Sequence, residues 1–221
     1  MAKIYRIAGR KNFFNRLKVN TILVLINVVC FAVFSIIYFI NPNFIDYIAL
    51  KPSNILQAKY LWTFVTSMFM HAGLFHIFAN MLSMFFIGGL VEKILGKRRY
   101  ALFYLLAGLF AGLFFVLVSL LFPKDLETYA VGASGALFGL IGLLMVMTPN
   151  LPVYIMFIPI PVKMKYAAPG ILIILWLISV AGDVPIGNTA HFGGLLTGLI
   201  YGLYLKRKYK NKTKYIGKFF S

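Results

Sequence analysis

Six long apolar runs constrain this chain more than any other feature of its sequence. Read between charged or Pro/Gly-rich breaks, they lie near residues 19–40, 64–91, 100–122, 132–147, 166–181 and 189–205. A helix needs roughly 20 apolar residues to cross a hydrocarbon core of ~30 Å. Each run must be helical, because lipid offers no partner to free backbone groups and the sequence has no alternating strand pattern. The predicted fold is an all-α membrane protein with six transmembrane helices.

The composition leaves no room for a separate soluble domain. Of all residues, 61% are hydrophobic and 12% are charged, against roughly 25% charged in soluble domains. We therefore expect a basic N-terminus (1–18), a six-helix membrane domain (19–205) and a basic tail (206–221). The run after residue 18 is too long for a cleaved signal peptide, so we expect a retained first span.

The positions of lysine and arginine predict the orientation. If the N-terminus is cytoplasmic, 19 of the 22 Lys and Arg residues lie inside, and only Lys51, Lys59 and Lys124 lie outside. This bias predicts that both termini are cytoplasmic. The net charge of +17 does not indicate nucleic-acid binding, because the basic residues cluster at span ends rather than in one compact domain. The expected partner is the lipid bilayer, with the tail as an orientation signal that contacts anionic lipid.

Two connections are longer than usual helix–helix links. Residues 41–63 lie outside and contain Tyr47, Tyr60 and Trp62, so we expect them to occupy the membrane interface, where Trp and Tyr are enriched. Residues 148–165 lie inside and contain four prolines.

Polar residues within spans are expensive, and the second run carries three of them. His76 and Asn80 are four residues apart and share a helix face, whereas His71 points about 140° away from His76. A zinc-binding helix needs His at i and i+4 with Glu between them, which is not the pattern here. The single cysteine, Cys30, can form neither an internal disulfide nor a thiolate cluster, so we expect no metal and no cofactor. A structural alternative is that His76 and Asn80 only bridge helices.

The fourth run opens with Ser134 in Gly132-Ala133-Ser134-Gly135. A serine at the first turn of a helix lies beside unpaired N–H groups and the positive dipole end, where an oxyanion is stabilised. The run is short for a bilayer, so its outer end should lie below the surface, in a depression that holds water. The alternative is that this stretch serves only small-residue packing.

The sixth run carries His191 near its outer end. Gly194, Gly198 and Gly202 follow at intervals of four residues and form a smooth face for another helix. If that face packs on the glycines after Ser134, His191 and Ser134 lie at matching depth, as a base-activated serine requires. Runs two, four and six all point inward, so their polar groups should converge on one outer layer.

These motifs, in this order, resemble those of the rhomboid protease family: His71-x4-His76-x3-Asn80, Gly132-Ala133-Ser134-Gly135 and Ala190-His191-Phe192-Gly193-Gly194. The resemblance covers roughly residues 19–205 and extends to Gly88-Gly89-Leu90-Val91-Glu92, with Gly96 ending the second helix. It implies an intramembrane serine endopeptidase that cleaves transmembrane segments of membrane proteins, with its active site opening toward the extracytoplasmic side.

The resemblance also implies a role for each site residue. Ser134 is the nucleophile and His191 the base of a Ser–His dyad. The side chains of His76 and Asn80, with the Ser134 backbone N–H, are the oxyanion donors. Phe138 takes the place of an aromatic ring that stacks on the histidine.

Three further points bear on the resemblance. The family often has Trp-Arg in its first outer loop, where this chain has Trp62-Thr63, which changes the bonding of that loop. The fifth span and the 182–188 loop are expected to cap the site and move to admit substrate. Glu92 is the one acid at a span, at its cytoplasmic end, so no acid is expected to complete a triad.

Three alternatives remain open at this stage. The first is a catalytically inactive rhomboid-like protein that binds transmembrane clients. The second is a membrane haem protein with histidine axial ligands, and the third is a transporter, although the chain lacks buried carboxylates for ion coupling. The oligomeric state is not indicated by the sequence.

Overall fold

The computed structural model describes residues 17–155, 159–182 and 187–219. It is mostly helical, and its long helices are α1 (Val19–Ile40), α2 (Leu74–Leu95), α3 (Lys97–Ser119), α4 (Ser134–Met147), α5 (Met164–Gly182), α6 (Asn188–Lys208) and α7 (Lys210–Phe219). The helical prediction for the apolar runs is confirmed. Most of the predicted basic N-terminus, part of the 182–188 loop and the last two residues lie outside the described residues.

Four of these helices, α1, α2, α3 and α5, are long and apolar enough to cross a membrane. Helix α4 is apolar but has only 14 residues, and α6 is not among the four. The number of six spans and the cytoplasmic location of the termini therefore stay predictions.

The start of the second helix differs from the prediction. We predicted a span over 64–91, but the chain forms a short helix at Thr63–Thr66 and a 3₁₀ turn at Ser67–Phe69 before α2 begins at Leu74. Gly73 has an extended backbone, with φ 174° and ψ 176°, and so separates these turns from α2. His71 consequently lies in the non-helical segment before α2 and not on its face.

Helix α4 is the central element of the fold. Eleven of its 14 residues are buried, a larger share than in any other long helix of the described residues. Helix α4 packs against α3, α5 and α6. The predicted glycine contact is confirmed. A Cβ added at Gly194 or Gly198 would collide with a backbone carbonyl of α4, at Gly135 and Gly139 respectively. Such close backbone approach aligns the first turns of α4 and α6.

A buried carboxylate joins α1 to α2. Both oxygens of Glu92 accept hydrogen bonds from backbone N–H groups at the start of α1, those of Val19 and Asn20, at 2.9 Å each. The Tyr100 hydroxyl on α3 donates to the Asn20 side chain at 2.6 Å. The acid therefore satisfies N–H groups that have no partner within their own helix. This contact ties three helices together at the end opposite to Ser134.

The connection between α1 and α2 is folded rather than extended. It contains a 3₁₀ turn at Pro42–Phe44 and short helices at Ile45–Ile48 and Pro52–Leu56. The Trp62 indole donates to the Tyr47 carbonyl at 2.9 Å, and the buried Thr63 occupies the position where the family often has arginine. The loop therefore keeps bonds of its own without an arginine at that position.

Two further connections link the helices. A 3₁₀ turn at Pro123–Glu127 precedes α4, where Glu127 pairs with Lys51 at 2.6 Å and Leu50 forms a backbone bridge with Ala130. After α4, strands β1 (Pro152–Val153) and β2 (Val162–Lys163) form a two-residue antiparallel hairpin, with Pro152 opposite Lys163. The prediction of helix rather than strand was made for the apolar runs, and this short hairpin lies in the connection between two of them.

Candidate active site

Ser134 is the first residue of α4, and the turn before it requires glycine. Gly132 has φ +116°, and a Cβ there would lie 2.8 Å from the ring of His76. Its backbone N–H donates to the Ser67 carbonyl at 2.8 Å, which fixes the turn against the segment before α2. Ser134 is thereby held half-buried beside the first N–H groups of α4, which have no partner within the helix.

His191 lies on the first turn of α6 and contacts Ser134. Its Nε2 is 2.7 Å from the Ser134 Oγ, and its side chain is only 7% exposed. Phe138, one turn after Ser134 on α4, stacks on the imidazole with ring centroids 4.6 Å apart and an interplanar angle of 22°. The aromatic ring therefore restricts the orientation of the imidazole whose Nε2 faces the serine.

The second imidazole nitrogen of His191 is buried, and within the described residues it has no hydrogen-bond partner. Asp183, the acid nearest to it in sequence, lies outside the described residues. The described contacts are therefore those of a serine–histidine pair, in which the stacked Phe138 ring orients the base.

His76 lies against the same turn. Its Nδ1 accepts a hydrogen bond from the Ala72 backbone N–H at 3.3 Å, which assigns the proton of the neutral ring to Nε2. The Cβ position of Gly132 is 2.8 Å from that Nε2 and 3.7 Å from the Ser134 Oγ. An N–H donor of His76 thus faces the space beside the serine.

Asn80 is one turn further along α2 and is 4% exposed. Its amide nitrogen donates to the His76 carbonyl at 2.8 Å, so one of its two N–H groups is used within its own helix. Its carbonyl oxygen has no hydrogen-bond partner within the described residues. The structure places Asn80 next to His76. The second amide N–H of Asn80 is the one that can donate a hydrogen bond to a group bound at the site.

His71 contacts this site through His76, a contact that helical periodicity did not predict. We expected it to point away from His76, but their ring centroids are 5.1 Å apart, and His71 also packs edge-on against Phe31. The prediction was wrong because it continued α2 through Gly73. His76, Ser134 and His191 all lie in the first turn of their helices, and their side chains lie close together around Gly132 and Ser134.

The described residues contain no group of three His, Cys, Asp or Glu residues that could hold a metal ion. The groups that the site offers for chemistry are a hydroxyl, imidazoles, an amide and backbone N–H groups. A serine within hydrogen-bond distance of a histidine, at a helix N-terminus with further N–H donors, is suited to acyl transfer.

Comparison with known proteins gives one family. The Rhomboid domain matches residues 58–208. RHOMBOID-like protein 1 of Arabidopsis thaliana is 38% identical over 157 residues, covering 70% of this chain and 37% of the relative. From the same plant, RHOMBOID-like protein 5 is 36% identical over 145 residues, which cover 65% of this chain and 44% of the relative. Inactive RHOMBOID-like protein 8 is 33% identical over 140 residues, which cover 62% of this chain and 36% of the relative. The chain thus spans less than half the length of these curated relatives.

Proposed function

This chain belongs to the rhomboid family, and from that membership we propose that it is an intramembrane serine endopeptidase acting through Ser134 and His191. Its apolar helices make it an integral membrane protein. The substrates in this proposal are transmembrane segments of other membrane proteins. The observation that supports it most is the distance of 2.7 Å between the His191 Nε2 and the Ser134 Oγ.

The proposed reaction has two acyl-transfer steps. His191 Nε2 accepts the Ser134 hydroxyl proton as Oγ attacks the scissile carbonyl, and the resulting imidazolium then protonates the leaving amine. The serine ester that remains is attacked by water, with His191 again acting first as base and then as acid. The Phe138 ring keeps the imidazole in the plane that both transfers need.

The developing oxyanion is proposed to bind to three donors. These are the Ser134 backbone N–H, the His76 Nε2–H and the free amide N–H of Asn80. The hydrogen bond from Ala72 supports this role for His76, because it leaves the proton on the nitrogen that faces Gly132. The loss of one such donor in hydrolases reduces kcat by roughly 10²–10³.

We further propose the membrane placement predicted from the sequence, with six spans, both termini cytoplasmic and the site opening toward the extracytoplasmic side. The positive-inside bias supports it. The 14 residues of α4 make a helix of only ~21 Å. An element that short leaves the Ser134 turn below the outer surface, where substrate and water can meet.

Helix α5 is proposed to move when substrate enters. Its buried residues, Met164, Ala167 and Ala168, all lie in its first turns, whereas Ile173, Trp176 and Val180 are more than half exposed. Few contacts therefore resist tilting of its later half. That half leads into the 182–188 loop, which we expect from the family resemblance to cap the site.

The alternative is an inactive family member that binds transmembrane clients without cutting them, since the relatives include a protein named inactive. The presence of both Ser134 and His191 at hydrogen-bond distance favours catalysis over binding alone.

The test is cleavage of a panel of transmembrane substrates by purified protein in mild detergent, together with labelling by a fluorophosphonate probe. We expect activity in the parent, loss of labelling in Ser134→Ala, and a fall of about 10³-fold or more in His191→Ala. Ser83→Ala, a half-buried serine on α2, is the matched control and should react like the parent. A folded parent that binds the substrates but neither cuts nor labels would favour the inactive relative.

A further inference from the structure

Two cations share one aromatic ring where α3 begins and α6 ends. The Arg99 guanidinium carbon is 5.6 Å from the Tyr209 ring centroid, and its Nη2 donates to the Tyr209 hydroxyl at 3.4 Å. The Lys208 Nζ is 5.8 Å from the same centroid and donates to the Tyr204 hydroxyl at 2.7 Å. Two positive charges are therefore held at one corner of the molecule by residues from different helices.

No acid on these helices balances the two cations, because α3, α6 and α7 contain neither Asp nor Glu. The pKa of Lys208 is raised, first by its hydrogen bond to Tyr204, whereas the charge of Arg99 opposes this rise because the two cations repel one another. Both side chains are exposed. Repelling cations that are held in place by tyrosine rings suit a phosphate, which accepts charge-assisted hydrogen bonds from both.

The surface beside the cations is apolar and continues along the α3–α6 seam. Phe103 of α3 stacks on Tyr201 of α6 with ring centroids 4.6 Å apart, and this pair joins the two helices one to two turns from the cations. Exposed side chains border the pair on both helices: Leu102, Leu106, Ile200 and Tyr204. In an integral membrane protein such a surface faces acyl chains.

From these contacts we propose that the α3–α6 seam binds one anionic glycerophospholipid. Its phosphate lies between Arg99 and Lys208, and its acyl chains lie along the seam. Tyr204 and Tyr209 hold the cations in place and mark the depth of the headgroup, where tyrosine is enriched. The site lies roughly 25 Å along α6 from His191, so it is independent of the proposed proteolysis.

Native mass spectrometry of the parent tests the site directly. Protein is equilibrated in neutral detergent with equal amounts of dioleoyl-phosphatidylglycerol and dioleoyl-phosphatidylcholine, which share acyl chains and differ in headgroup charge. We expect one phosphatidylglycerol retained in preference to phosphatidylcholine. Retention of the two lipids in the supplied ratio would overturn the proposal, whatever the variants do.

Charge-matched variants then locate the lipid. Arg99→Gln and Lys208→Gln should each weaken phosphatidylglycerol retention roughly five-fold, and the double variant about thirty-fold. Arg98→Gln with Lys212→Gln removes the same charge from exposed positions and should retain lipid nearly as the parent does. Equal loss in both double variants would show a diffuse basic surface instead of a site. Competition by inorganic phosphate as effective as that by the lipid would also contradict the proposal, because the acyl chains would then contribute nothing.

Discussion

Replacing Gly194 by alanine tests whether the backbone contact between α4 and α6 sets the active-site geometry. The added Cβ would collide with the carbonyl oxygen of Gly135, and it would lie 3.0 Å from the Gly135 carbonyl carbon and 3.3 Å from the Gly139 nitrogen. All three atoms belong to the backbone of a central helix, so none can rotate away. The two helices must move apart instead.

The size of the effect follows from two opposing terms. Overpacking of a well-packed interior costs about 1–3 kcal/mol, and a backbone obstacle places this case near the upper value. Alanine gains about 1 kcal/mol over glycine in a helix, which leaves a net loss of about 2 kcal/mol. For a chain of this length that corresponds to a melting temperature lower by roughly 4–8 °C.

Function should suffer more than stability. The His191 Nε2 and the Ser134 Oγ belong to the two helices that separate, and they are 2.7 Å apart. A displacement of about 1 Å takes this contact beyond hydrogen-bond range. We therefore expect Gly194→Ala to label with a fluorophosphonate at least about ten-fold more slowly than the parent under conditions where it remains folded.

Gly170→Ala is the matched control, because a Cβ at Gly170 in α5 has nothing within 4 Å. It makes the same chemical change and should melt at or above the parent temperature, with unchanged labelling. Thermal unfolding in detergent and labelling rates on the same samples provide both measurements. If Gly194→Ala melts and labels like Gly170→Ala, the close backbone contact does not determine the geometry of the site.

Three other predictions concern separate contacts. Phe138→Leu removes the ring stacked on His191 and should slow fluorophosphonate labelling up to about ten-fold. Phe138→Tyr keeps the ring and should label at the rate of the parent. Equal labelling rates in the two variants would refute the role of the ring in orienting His191. Glu92→Gln removes the charge from the buried acceptor at the start of α1 and should lower the free energy of unfolding by about 1–2 kcal/mol, with labelling per folded molecule unchanged. The hydrogen bond from Lys51 lowers the pKa of Glu127 in the folded protein. The Glu127–Lys51 pair therefore stabilises the fold at pH values above the pKa that this carboxyl has in the unfolded chain. That stabilisation is lost as the pH falls through the lower pKa of the folded protein. Glu127→Gln should therefore melt slightly below the parent near neutral pH and match it in acid, and a difference that grows in acid would contradict this.

The site was largely predictable because its residues are anomalies in an apolar chain. Ser134, His76 and His191 are polar groups near the ends of apolar runs, and the glycines beside them predicted which helices meet. Phe138 was found only through the family resemblance, since an aromatic residue in an apolar helix is not an anomaly. His71 was misplaced because helical periodicity was extended across a glycine whose backbone is extended.

The sequence by itself determined the helical class and the location of the polar groups, because a bilayer admits few alternatives to the helix and makes each buried polar group costly. Both properties can be read from a single run of residues, because they depend on its length, its apolar character and the polar residues within it. Only the tertiary structure decided which groups meet across helices: the capping of α1 by Glu92, and the placement of Arg99 and Lys208 around the Tyr209 ring. Such contacts join residues far apart in the chain, and their distances depend on how helices pack, which periodicity along one helix does not specify.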